Sequence, residues 1–179
     1  FDKLDKNKFK LLYLFGSDNF EFKGNNEFII YQGSHGDRGA EIADVILPSA
    51  AYTEQNGLYS NLEGRVQECK KASYPIGDSL EDWKIFNLIL KKLEKNDNLN
   101  NFETLRKEAI NSVKNFSQTN NLPKKVINKN NKNNSEFYSE KILINKLDYY
   151  YTNSISRASK TMSECRQIRE KTPKTGTNN

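Results

Sequence analysis

Residues 31–67 read YQGSHGDRGAEIADVILPSAAYTEQNGLYSNLEGRVQ. The alternation of apolar runs with glycine-bearing polar turns in this stretch decides the fold class. It opens at the end of an apolar run, Phe28-Ile29-Ile30-Tyr31, that reads as a strand. Gly33, Gly36 and Gly39 then mark a tight loop. Ala43-Asp44-Val45-Ile46-Leu47-Pro48 reads as a short buried strand stopped by proline, which has no N–H to give a ladder. A second polar turn carries Glu54, Gly57, Asn61, Glu63, Gly64 and Arg65. Apolar strands that end in polar loops present side chains along one edge of an α/β sheet.

Upstream, residues 9–15 (FKLLYLF) predict a buried parallel strand ended by Gly16-Ser17-Asp18-Asn19, with a polar connection over 20–26. Downstream, Tyr74-Pro75-Ile76-Gly77 turns into the clearest helix of the chain. Asp78 or Ser79 is the expected cap, with Ser79 and Asp82 approximating a capping box. Trp83, Phe86, Leu90 and Leu93 fall at helical spacing. Ile85, Leu88 and Ile89 widen that face and predict burial on two sides. Residues 102–116 predict a second amphipathic helix with Asn101 as N-cap.

The division that follows is a partial parallel-sheet domain over 1–116, a polar linker over 117–136 and a docking tail over 137–179. The linker, rich in Asn and Lys, cannot bury enough apolar surface to fold alone. In the tail, Ile142, Leu143, Ile144 and Leu147 precede three tyrosines, Tyr149 to Tyr151. Asn153 then reads as the N-cap of a final helix. Its apolar stripe is Ile155, Ala158, Met162, Cys165 and Ile168, spaced by three and four. So thin a stripe needs a surface to dock on, and Cys165 reads as a small buried residue.

Charge is divided along the chain. Residues 1–116 carry 16 Lys/Arg and 18 Asp/Glu, whereas residues 117–179 carry 12 and 5. The basic residues of the tail sit among asparagines without a periodic stripe or interleaved aromatics. That pattern fits a solvated linker or a subunit contact better than nucleic-acid binding. Cys69 and Cys165, the two cysteines, are far apart and outside any ligand spacing, so this chain by itself offers no iron–sulfur or zinc site. Two unpatterned thiols suit a reducing compartment. No stretch approaches the ~20 apolar residues needed to span a bilayer. The first ten residues mix acid with base like neither a signal nor a transit peptide. A start at Phe1 implies a removed leader, an interior fragment or unusual initiation.

Chemistry-bearing side chains are sparse. His35, Asp37 and Arg38 have no visible partner or cleft, and loop hydrogen bonding is the simpler reading. The spacing of Glu54 and Glu63 fixes no geometry. Gly33–Gly39 matches neither a Walker loop nor GxGxxG.

The run ADVILP…YTEQNGLYSNLEGRVQ resembles the molybdopterin-oxidoreductase superfamily. The fuller string YQGSHGDRGAEIADVILPSAAYTE is similar to one branch, the large iron–sulfur subunit of respiratory complex I. A second block, YYYTNSISRASKTMSEC (149–165), resembles the end of that subunit in mitochondria. Ser34, Ser60 and Leu62 depart from the residues more usual in the family.

The resemblance implies an α/β fold of the molybdopterin-oxidoreductase type with a helical, extended tail. It also implies a structural fingerprint: Gly33, Gly36, Asp37, Asp44, Pro48, Glu54, Gly57, Asn61, Glu63, Gly64 and Arg65. An Arg65–carboxylate contact would staple the loops. No catalytic, cofactor or metal residue is expected in this chain, with iron–sulfur clusters and FMN carried by partner chains. The implied role is a non-redox part of the matrix-side peripheral arm, at the mitochondrial inner membrane. The implied partners are a cluster-binding N-terminal part on another chain and other arm subunits, without nucleic acid or membrane insertion. The alternative is a fragment of a catalytic molybdopterin oxidoreductase.

Overall fold

The computed structural model describes residues 9–17, 26–95, 101–122 and 148–171. Strands β1 (Leu11–Phe15), β2 (Phe28–Gly33) and β3 (Val45–Pro48) form a parallel sheet in that order, with β2 central. Leu14 pairs with Tyr31, and Tyr31 with Ile46. One helical turn, α1 (Arg38–Glu41), carries the chain from β2 back to β3. The expected tight loop therefore contains a crossover, as parallel pairing requires.

Side chains alternate across the sheet. On one face Leu14, Ile29 and Tyr31 are buried under Ala40, Ile42 and Ala43. Gly39 is buried in this layer, where an added Cβ would meet the Ser17 carbonyl oxygen at 2.7 Å. On the other face lies α2 (Asp82–Lys92), whose Phe86 ring stacks 5.9 Å from Tyr13 and meets Phe15 edge-on at 5.3 Å. Leu80 positions α2 by extending the sheet edge. Its N–H donates to the Pro48 carbonyl, its carbonyl accepts from Ala50 N–H, and it bridges Ser49 in parallel.

That bridge corrects the expected helix start. With Leu80 held in extended pairing, the N-cap falls on Glu81, and Ser79 turns back to the Ile76 carbonyl at 2.6 Å. Burial of α2 on two sides is also corrected. Ile85 is its one buried residue, while Leu88 and Leu93 are exposed, because the sheet covers a single flank. The strand over 43–48, expected to be buried, is a sheet edge whose Val45 and Ile46 are exposed.

The polar turn expected over residues 54–65 lies largely within a hairpin of β4 (Gly57–Ser60) and β5 (Val66–Cys69). Its tip is set by Asn61 Oδ1, which accepts from the N–H groups of Glu63 (3.1 Å) and Arg65 (2.9 Å), and by Gly64 at φ +79. Helix α3 (Phe102–Ser112) is capped by Asn101, which accepts from Thr104 N–H at 2.8 Å. A 3-10 turn (Lys114–Gln118) follows, and Asn120 N–H then reaches the Val66 carbonyl, so the first residues assigned to the linker lie against the hairpin. The rest of the linker and Ile142 to Leu147 fall outside the described residues.

The final helix is two: α4 (Ser154–Ala158) and α5 (Lys160–Lys171), broken at Ser159. Ile155 and Ile168 of the expected stripe are exposed. Cys165 is exposed and free rather than buried.

Gly39→Ala should lower stability by about 1–3 kcal/mol through the clash with the Ser17 carbonyl. Gly36→Ala, whose Cβ would meet nothing within 4 Å, should stay within about 0.5 kcal/mol of the parent. Thermal unfolding of both variants checks the pair, and equal midpoints would contradict the packing.

Candidate functional site

The carboxyl edge of a parallel sheet is where α/β folds place ligands. Here that edge opens into a cleft of about 330 Å³. Phe15 and Gly16 line it from β1, Gln32 to Ser34 from β2, and Ser49 and Ala50 from beyond β3. Tyr52, Gln55 and Asp82 form a further wall, and Asn153, Ser154 and Ile155 reach in from the C-terminal segment.

Its floor is a continuous hydrogen-bond network. Tyr13 Oη donates to Gln32 Oε1. Gln32 Nε2 donates to Asp82 Oδ1 at 2.7 Å, and Gln55 Nε2 donates to Asp82 Oδ2 at 2.8 Å. Gln55 Oε1 accepts from Asp82 N–H at 3.1 Å. Gln32 is completely buried, so its amide requires these partners. Burial and the nearby Asp82 charge both push the Tyr13 phenol up, which keeps it a donor. Asp82, expected in a capping box, instead ties α2 to β2 and to the loop after β3.

Beside the cleft, Glu81 is buried with its carboxylate turned inward. It accepts from Trp83 Nε1 (2.9 Å) and Lys84 Nζ (3.1 Å), with Lys71 Nζ at 3.6 Å. Burial alone would push this carboxyl up. The hydrogen bonds from Trp83 and Lys84, with the charges of Lys84 and Lys71, outweigh it and hold the carboxyl below its ordinary value.

Of the expected fingerprint, Gly33 lines the cleft and Asp37 sits beside it, its carboxylate paired with Arg157 of α4. The others are spread through the loops. Asp44 Oδ2 accepts from Ile29 N–H at 2.7 Å, and Glu54 Oε2 accepts from Ala51 N–H at 3.0 Å. Pro48 ends β3, Gly57 faces Cys69 across the hairpin, and Asn61, Glu63 and Gly64 build its tip. Gly36 lies in open space. Arg65 has no carboxylate partner among the described residues, and its Nε is buried without a hydrogen bond. His35 meets Ser34 Oγ through Nδ1 at 2.9 Å, and its carbonyl accepts from Tyr31 Oη. Sequence reasoning missed Gln32, Gln55 and Asp82. Their one signal was Gln32, a polar residue on the same strand face as Phe28 and Ile30.

Three parallel strands, the carboxyl-edge cleft and the two signature loops agree with a family match. The family model described as molybdopterin oxidoreductase matches residues 1–92. The chain belongs to that family. A second family model, for the C-terminal part of the NADH-ubiquinone oxidoreductase G subunit, matches residues 123–165.

Among curated relatives, the NADH-ubiquinone oxidoreductase 75 kDa subunit of Reclinomonas americana is 38% identical over 174 residues, covering 93% of this chain and 25% of the relative. The NADH-quinone oxidoreductase G subunit of Rickettsia felis is 41% identical over 165 residues, covering 90% and 24%. The mitochondrial NADH-ubiquinone oxidoreductase 78 kDa subunit of Candida albicans is 38% identical over 172 residues, covering 90% and 24%. The chain thus spans about a quarter of the length of these relatives.

The family name implies a pterin carrying anionic phosphate. Such a group wants cationic side chains or free N–H donors. The cleft lining includes no Lys or Arg, and its one carboxylate is Asp82. The described lining of this cleft therefore offers that group no cation.

Asp82→Ala would strand the buried amide of Gln32 and take one acceptor from the half-buried Gln55, and should cost about 2–3 kcal/mol in urea unfolding. Glu81 gives a pH signature. Its folded pKa lies below an unfolded value of about 4.3, so its contribution is complete above that value and is lost as pH falls through the lowered one. Glu81→Gln should therefore cost about 1 kcal/mol at neutral pH, discounted for the exposed lysine heads, and the gap to the parent should close in acid. A gap constant from pH 7 to pH 3 would refute the assignment.

Proposed function

We propose that this chain is a structural, non-redox part of the peripheral, matrix-side arm of respiratory complex I at the mitochondrial inner membrane. It completes the large iron–sulfur subunit of an NADH:ubiquinone oxidoreductase that couples electron transfer to proton pumping. Iron–sulfur clusters and FMN belong to partner chains, and this chain holds no cofactor. Its first partner is the cluster-binding N-terminal part of the same subunit. Other arm subunits surround it.

The observation that carries this reading is the apolar side chains left uncovered on the described sheet of a chain that the C-terminal model of the G subunit also matches. Leu11, Phe15, Phe28 and Val45 are exposed on one face of its strands and Ile46 on the other, with Leu88 exposed on α2 and Leu93 just beyond it. Exposed apolar side chains gathered on a sheet face suit an interface. A permanent interface of this type buries more than about 2,000 Å². No helix among the described residues is long and apolar enough to cross a membrane, which suits attachment through other subunits.

The test is native separation of gently solubilised membranes with mass spectrometry of each band. The chain should migrate with NADH dehydrogenase activity and with a cysteine-rich partner polypeptide. Migration alone, or in a small molybdenum-containing particle, would replace this reading with that of a catalytic molybdopterin oxidoreductase fragment.

A further inference from the structure

We propose that residues 148–158 form a strap across the mouth of the carboxyl-edge cleft, latched to the sheet by the Asp37–Arg157 ion pair. The segment of this chain that lines the cleft mouth comes from far along the sequence. Asn153, Ser154 and Ile155 line the cleft opposite Gly33, Ser34 and Ser49. The latch joins the loop after β2 to α4 across 120 residues, and its side chains are only 17% and 20% exposed. An ion pair so shielded is screened far less than a surface pair.

The strap is shaped for this position by its own hydrogen bonds. Asn153 Oδ1 accepts from Ser156 N–H at 2.8 Å, and Ser156 Oγ accepts from Asn153 N–H at 3.1 Å. This reciprocal box fixes the angle at which α4 leaves the cleft. Arg157 also donates through a second guanidinium nitrogen to the Tyr151 carbonyl at 3.3 Å, which folds the strap over its latch. At the far end Arg166 of α5 donates to Asp148 at 2.7 Å and lies over the Tyr151 ring at 4.8 Å. Both ends of the strap are therefore tied. The cleft that in an α/β fold receives a ligand is here walled in part by the tail of its own chain, which links tail position to the loop of residues 33–37. This inference stands independently of the assembly proposed above.

Ser49, a cleft residue 7% exposed, offers a reporter. In the full chain with Cys69→Ser and Cys165→Ser, a Ser49→Cys thiol should react slowly with a maleimide. Arg157→Ala should speed labelling about ten-fold or more, in line with the loss of a shielded charge-assisted bond. Asp37→Arg alone should do the same, and Asp37→Arg combined with Arg157→Asp should restore slow labelling. Asp37 caps α1 through its backbone carbonyl, with no side-chain cap, so these changes leave that turn intact.

Hydrogen exchange of the β2 amides is the control for folding. Unchanged labelling in Arg157→Ala with β2 still protected would overturn the strap. If β2 loses protection, Ile155→Ala decides, because it keeps the latch and removes a side chain at the cleft mouth. Faster labelling of Ile155→Ala supports the strap, and a parent-like rate overturns it.

Discussion

The buried amide of Gln32 is the constraint on which the rest of the structure depends. It sits at the carboxyl end of the central strand with no access to water, where an unpaired amide is costly. Satisfying it draws in Tyr13 from β1, Asp82 from α2 and, through Asp82, Gln55 from the loop after β3. Four segments distant in sequence thereby acquire one fixed arrangement. The start of α2, the level of the cleft floor and the position of the Phe86 ring over Tyr13 and Phe15 are all consequences.

Against that closed network stands a sheet that is not closed. One face has a core in Leu14, Ile29 and Tyr31 under α1, while the other is covered by α2 only toward the carboxyl ends of the strands. Beyond α2, Leu11 and Phe28, paired across β1 and β2, remain 53% and 46% exposed. Leu62 at the hairpin tip is fully exposed, although Asn61 and Gly64 make that tip rigid.

Much of the fold was legible in local pattern. The apolar runs of β1, β2 and β3, the helical spacing around Trp83 and the caps Asn101 and Asn153 all follow from short-range chemistry. Boundaries were less legible where a long-range contact competed. The Ser79–Asp82 box was locally sound, but Leu80 pairs with the end of β3 and Asp82 serves Gln32, so the helix begins later. The hairpin was hidden by a strand of only four residues either side of a polar turn. The candidate cleft was scarcely legible, because glutamines signal function only when something buries them.

By itself, the sequence determined the family and the α/β character of apolar strands ending in polar glycine loops. These depend on residue type and near-neighbour spacing, which the chain carries in one dimension. Tertiary structure alone decided that Asp37 would meet Arg157, that the tail would line the carboxyl-edge cleft, and that Cys165 would face outward. Each depends on which surfaces come into contact across more than a hundred residues. That choice is made by the burial of polar groups needing partners, and no local periodicity encodes it.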